Sequence, residues 1–245
     1  MHATEPPADP LREHASVDAP LPNHDVLVGV LAHELRTPIT TIYAGSAVLA
    51  HDDELLPSMR RELAADVYAE AARLFRAVED LLVLTRLEHG ALSVSREPVS
   101  VIRAVDSAAQ YEAERWPMLQ TRLRLVGTPA PVAADAGALA HAIRNMVSNI
   151  GFRATGPTEL EIVIEGVDER VACRLLDRTA TLGEGDLPGL FDLPATDPRP
   201  GMTSPGIAMY VAGQLVRAMG GRFWASYIDE RCVEIAFNLP RYEAA

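Results

Sequence analysis

The sequence predicts an α+β protein, a long helical hairpin followed by an α/β sandwich. Two patterns carry the prediction. From about Pro22 to Gly90, apolar residues recur at helical spacing along two long stretches separated by one short turn. After Gly90, strand-like and helical runs alternate, with glycine, proline or aspartate between them. Composition sets the scale: 48% of the 245 residues are apolar, enough for a sizeable core.

Residues 1–22 hold five prolines among acidic and small residues and show no period, so they read as a disordered tail or linker. The first helical stripe is Val28, Leu31, Leu35, Ile42 and Leu49. HDDELLP then turns the chain, with Pro57 suited to a first helical turn. A second stripe, Leu63, Val67, Ala71, Leu74, Val78, Leu81 and Thr85, runs toward Gly90 as a C-terminal cap. One hairpin alone leaves much of its stripe in water. Two hairpins paired as a four-helix bundle bury it, so residues 23–90 are expected to form a homodimerisation domain.

Residues 91–245 are expected to form the sandwich. Residues 92–94, 122–126 and 131–134 read as strands. Residues 101–115 read as a helix with Ser100 as its N-cap, and Asp135 caps another helix ending near Phe152. LEIVIEGV and RVACRLLD form a hairpin around Asp168-Glu169. The glycine- and proline-rich segment 178–205 has little period. A helix near 206–219 ends at Gly220-Gly221, and strands at 222–228 and 232–239 close the sheet.

Charge narrows the partners. A net charge of −12 argues against a nucleic-acid backbone. No apolar run approaches the ~20 residues of a membrane span and no signal peptide opens the chain, so a soluble, cytoplasmic chain without membrane contact is expected. All 22 basic residues are arginine, so a phosphate site here has no ammonium group to use. Cys173 and Cys232 lie far apart in strand-like runs and read as buried reduced thiols.

The stretch LAHELRTPIT at residues 31–40 carries the chemistry. His33 can be a metal ligand, a phosphorylatable nucleophile or an ordinary surface histidine. A zinc-protease helix needs a second histidine four positions on, where this chain has Thr37, so the metal reading fails. His33 lies about 200° around the helix axis from both Leu31 and Leu35, away from the apolar stripe. Thr37 shares its face, Glu34 adjoins it, and Pro38 is expected to kink the helix just beyond. An imidazole beside a carboxylate and a hydroxyl suits nucleophilic chemistry.

AHELRTPIT resembles the H-box of two-component sensor histidine kinases, and further matches follow in order. RLFRAVEDLLVLTRLEHG (73–90) resembles the second helix of their dimerisation and phosphotransfer domain, and EPVSV (97–101) the approach to their ATP-binding domain. LAHAIRNMVSN (139–149) resembles the N-box, DLPGLF (186–191) the segment before the ATP lid, and VRAMGGRFW (216–224) the helix end after it. The resemblance implies a sandwich of the GHKL (Bergerat) ATPase type. His33 would attack the γ-phosphoryl of ATP, with Glu34 accepting its proton or fixing its tautomer. Asn149 would hold Mg²⁺, with Asn145 one turn earlier on the same face. Asp177 would accept the adenine amino group, Gly206 would belong to the second glycine box, and Thr37 would orient water for dephosphorylating a response regulator.

The resemblance breaks at the glycine boxes. The first, D-x-G-x-G, reads Asp177-Arg178-Thr179-Ala180-Thr181 here, and the second, G-x-G-L-G-L, keeps only Gly206 in Ser204-Pro205-Gly206-Ile207-Ala208-Met209. The basic residue usual three positions after the N-box asparagine is Phe152, with Arg153 one step out of register. Left-handed geometry at Thr179 and Thr181 would cost ~1–2 kcal/mol each. Three functions stay open. The first is an ATP-dependent histidine kinase that passes its phosphoryl group to a response regulator aspartate. The second is a phosphotransfer protein, phosphatase or pseudokinase that no longer uses ATP. The third is a non-catalytic dimeric scaffold that docks a response regulator.

Overall fold

Two long helices open the fold. Helix α1 (His24–His51) continues through Pro38, which is buried inside it. Helix α2 (Pro57–Glu88) starts with Pro57 in its first turn. Arg60 ties the turn between them by donating from Nη2 to the carbonyl of Asp52 at 3.0 Å. Gly90 takes φ +62° just past α2, a left-handed conformation that glycine adopts without a Cβ penalty. In this computed structural model the described residues are 15–16, 24–52, 54–113, 115–154, 156–179, 187, 190–191, 207–229 and 231–243.

The remaining elements form the sandwich. In chain order they are β2 (Glu97–Val99), α3 (Val101–Ala113), β3 (Leu119–Val126), β4 (Val132–Ala134), α4 (Ala136–Arg153), β5 (Thr158–Val167) and β6 (Arg170–Asp177). Helix α5 (Ala208–Ala218) and strands β7 (Arg222–Asp229) and β8 (Cys232–Pro240) complete it. A two-residue strand, β1 (Ala15–Ser16), joins from before the hairpin. The large sheet runs β1-β7-β8-β6-β5-β3, and β2 pairs with β4 separately. Among these pairs β3–β5 is parallel and the rest antiparallel.

Register assigns the sheet's two faces. Ile162, Leu175, Ile235 and Ala225 stand in one row across four strands, and Ile164, Cys173, Phe237 and Phe223 in the next. These rows are buried in the main core with Leu139, Ile143 and Met146 of α4 and Met209 and Val216 of α5. Asp177 belongs to the end row of this same face, with Leu160, Val233 and Tyr227. The other face carries a small separate cluster of Val163, Leu176 and Cys232. Both cysteines are buried free thiols, and burial pushes the Cys173 thiol far above its ordinary range. Val30, Val83 and Leu84 of the hairpin join the main core, so hairpin and sandwich share apolar packing.

Three expectations change. Residues 92–94 form no strand; Leu92 and Val94 alternate inward against the core with no ladder partner, and the strand falls at Glu97–Val99 instead. On α2 the buried positions are Asp80, Val83 and Leu84, whereas Val78 and Thr85 of the expected stripe are exposed. The helix therefore has two apolar faces, and only one is covered within the chain. Ala15–Ser16, inside the period-free tail, pairs with Ala225 and Trp224 of β7. Thr181 of the first glycine box and residues 192–206, which hold the expected lid and Gly206, lie outside the described residues.

Candidate active site

Helix α4 organises the site. Asp135 sets its start, accepting from the Ala138 amide at 2.9 Å. That hydrogen bond is the largest cause holding the carboxyl below its ordinary range. One face of α4 then presents Asn145, Ser148, Asn149 and Phe152 to a cleft of about 90 Å³ between sandwich and hairpin. The opposite wall is Glu34 of α1 with Arg73, Arg76, Ala77 and Asp80 of α2. Trp116 closes one side, edge-on to Phe152 with ring centroids 6.3 Å apart. Gly151 makes that approach possible, since a Cβ there would sit 2.5 Å from the indole.

The two asparagines differ in state. Asn145 is buried and donates from Nδ2 to Asp80 Oδ1 at 2.8 Å and to the Ala208 carbonyl at 3.1 Å. His141, one turn earlier, places Nε2 2.8 Å from the same Asp80 oxygen. Asp80 therefore binds two residues of α4 at once. Asn149 is 5% exposed, yet neither its amide oxygen nor its amide nitrogen has a partner. A shielded amide with both ends unused is a vacancy in the hydrogen-bond accounting. Its oxygen is the hard neutral donor that Mg²⁺ takes beside phosphate oxygens. Among the described residues no group of three or more His, Cys, Asp or Glu could hold a metal ion, so a cation here would lean on Asn149 and its substrate.

The other predicted residues are spread. Glu34 faces the cleft, 3.7 Å from Arg73, whose guanidinium also lies 5.6 Å from the Phe152 ring centroid. Phe152 stands where the resemblance expects a basic residue, and α2 supplies a cation over its ring. His33 lies on α1 next to Glu34, with its side chain outside the described residues. Thr37 is exposed and does not line the cleft. Gly206 is outside the described residues, while its neighbours Ile207 and Ala208 line the cleft.

Asp177 is buried at the end of β6 and away from the cleft lining. Thr179 donates to its Oδ1 twice, from the amide at 3.0 Å and the hydroxyl at 2.9 Å. Thr179 does not have positive φ, so the strain anticipated for it is absent: the threonine folds back on Asp177 in an Asx-type turn. Arg153 lies nearby. Burial pulls its guanidinium below the usual range, with Asp177 and Tyr227 opposing. The structure thus brings Glu34, Asn145 and Asn149 to one cleft and leaves Asp177 and Thr37 elsewhere. Sequence reasoning missed Asp80, Arg76, Arg115 and Trp116 as cleft residues.

Comparison with known proteins follows this geometry. The sequence model of the His Kinase A (phospho-acceptor) domain matches residues 24–90. The sensor protein KdpD of Clostridium acetobutylicum is 22% identical over 88% of this chain and 24% of its own length. The chain spans well under half the length of the curated relatives it matches. Full-length ShkA in complex with AMPPNP superimposes with a TM-score of 0.63 at 20% identity, over 90% of this chain and 46% of that one. The histidine kinase ThkA in complex with response regulator protein TrrA gives 0.61 at 16% identity, over 88% and 61%. The helical hairpin followed by a mixed sheet under helices is the fold of these proteins.

Proposed function

We propose that this chain, whose residues 24–90 match the His Kinase A (phospho-acceptor) domain, phosphorylates His33 from ATP and passes the phosphoryl group to an aspartate of a response regulator. One observation carries the reading: Glu34, adjacent to His33, and Asn149, with its unspent amide, line the same cleft within one chain. Phosphoryl transfer asks the protein mostly for positioning and charge neutralisation. His33 supplies the nucleophilic nitrogen. Glu34, on the same turn and oriented by Arg73, takes its proton or fixes its tautomer. Asn149 would hold Mg²⁺, which when bound offsets charge on the transferring group. Thr179 occupies only Oδ1 of Asp177, and the other carboxylate oxygen is the acceptor for the adenine amino group. Thr37, exposed on the face of His33, would orient water when a regulator is dephosphorylated.

The likenesses that support substrate and partner are those of ShkA, bound to AMPPNP, and ThkA, bound to its regulator. Among the described residues no helix is long and apolar enough to cross a membrane. Cytoplasmic placement is part of this proposal. A second reading, a phosphotransfer protein or phosphatase that takes its phosphoryl group from another protein, is favoured by Asn145 and Asp177 both being engaged inside the chain. One experiment separates the two. With γ-labelled ATP, the kinase reading expects acid-labile phosphate that His33→Ala abolishes. Labelling of His33 by a phosphorylated donor protein but never by ATP selects the second reading.

A further inference from the structure

Two arginines in the cleft have no role in the reaction above. Arg76 projects from α2 and Arg115 from the segment after α3, so they reach the cleft from the hairpin and from the sandwich. Arg73 beside them is already committed, to Glu34 at 3.7 Å and to Glu70 at 3.9 Å. Arg76 Nη2 and Arg115 Nη1, by contrast, are shielded from solvent and have no hydrogen-bond partner. Leaving shielded cationic donors without an acceptor is costly, and the cost disappears when an acceptor arrives. Arg115 is steadied by stacking on Trp116, with its guanidinium carbon 4.8 Å from the ring centroid.

The carboxylates nearby do not fill the vacancy. Glu34 is paired with Arg73, and Asp80 with His141 and Asn145. Glu112 faces Arg76 electrostatically from α3, but its Oε2 accepts from the Trp116 indole and its Oε1 is unpartnered. Burial, the largest cause, raises its pKa, with the charge of Arg76 opposing. Chemistry narrows the ligand: two unpartnered guanidinium donors facing one cleft call for an anion with several acceptor oxygens. Planar guanidinium forks match tetrahedral oxyanions.

We propose that Arg76 and Arg115, with the amide of Asn149, form an oxyanion site between hairpin and sandwich that takes a phosphoryl group, the terminal phosphate of a bound nucleotide. It replaces the grip lost with the glycines of the first box in a chain that has no lysine. Because one arginine comes from each side, the site is whole only while the hairpin is docked. The proposal rests on the kinase reading for the source of the phosphate and on geometry alone for the site.

Calorimetry on the full chain, with magnesium present, tests it using phosphate, pyrophosphate, AMP and ATP. Arg76→Gln and Arg115→Gln are each expected to weaken pyrophosphate and ATP at least tenfold and to leave AMP unchanged. Arg86→Gln, exposed on α2 and outside the cleft lining, is expected to leave pyrophosphate unchanged, and Glu112→Gln to tighten it. Thermal melts and the charge-keeping Arg76→Lys and Arg115→Lys, expected to fall between wild type and the glutamine variants, separate lost contacts from lost folding. Folded glutamine variants that bind pyrophosphate and ATP as the wild type does would overturn the site, as would a wild-type chain that binds neither. Phosphate bound as tightly as ATP overturns the nucleotide as its source. Arginine-dependent pyrophosphate binding without labelling of His33 by ATP keeps the site and removes the kinase reading. Labelling of His33 that is indifferent to both arginines does the reverse.

Discussion

Asp80 holds hairpin and sandwich together through a single oxygen that meets both His141 and Asn145. Replacing it with alanine leaves two buried polar groups without an acceptor, at a cost of about 2 kcal/mol. Urea denaturation should show that loss for Asp80→Ala and a smaller one for Asp80→Asn, which keeps an amide oxygen in place. At this scale the sequence was uneven. His33 and Glu34 stood out because a histidine, a carboxylate, a hydroxyl and a proline crowd one helical turn. Asn145 and Asn149 stood out because LAHAIRNMVSN resembles the N-box. Asp80 did not, because its meaning lies in partners 61 and 65 positions away and its own helix shows only an acidic residue between stripe positions. Thr179 read as a strained substitute for glycine, and only the backbone shows that its hydroxyl and amide turn to Asp177 instead.

Helix α4 is the element on which the cleft depends, and its N-cap is its most accessible control. Asp135 also accepts from the amide and hydroxyl of Ser95, at 3.2 and 3.1 Å, so the cap ties the helix to the segment leading out of the hairpin. Asp135→Ala is expected to cost about 1 kcal/mol. The carboxyl's folded-state pKa is depressed, chiefly by the Ala138 hydrogen bond, so its stabilisation is complete above the ordinary value of 3.8 and disappears as pH falls through the lower folded value. Wild type and Asp135→Ala should therefore converge in stability in that acid range, as urea titrations at stepped pH would show. Most elements were legible because their signals are local. The Ser100 and Asp135 caps, the hairpin turn at Asp168 with φ 51° and the double glycine after α5 each act within a few residues. Residues 92–94 misled because alternating burial is necessary for a strand and not sufficient; among the described residues no strand pairs with them. Ala15–Ser16 carries no period at all, and its pairing depends on an edge more than two hundred residues later.

For the whole molecule, the uncovered face of the hairpin is the informative surface. Tyr68, Phe75 and Leu82 recur at heptad spacing on α2 with exposures of 78%, 65% and 51%, and Tyr43 on α1 is 76% exposed. A second hairpin is the expected cover. Light scattering should give a dimer, and Phe75→Asp should weaken it at least thirtyfold, or about 2 kcal/mol. Glu34 and Asn149 meet inside one chain, so phosphorylation within a chain is expected. In mixed dimers, His33→Ala paired with Asn149→Ala should show no labelling by ATP, and restored labelling would indicate transfer between chains. The pairing of β1 with β7 adds a mechanical constraint. In an antiparallel hairpin the start of α1 and the end of α2 lie at the same end, so the sandwich is joined there by residues 89–96 and, ahead of α1, by the Ala15–Ala225 and Ser16–Trp224 pairs. To reorient, the sandwich must first unzip that short seam, at about 1 kcal/mol for each hydrogen bond lost. A pull applied ahead of Ala15 therefore loads the sheet edge at Trp224 as well as helix α1.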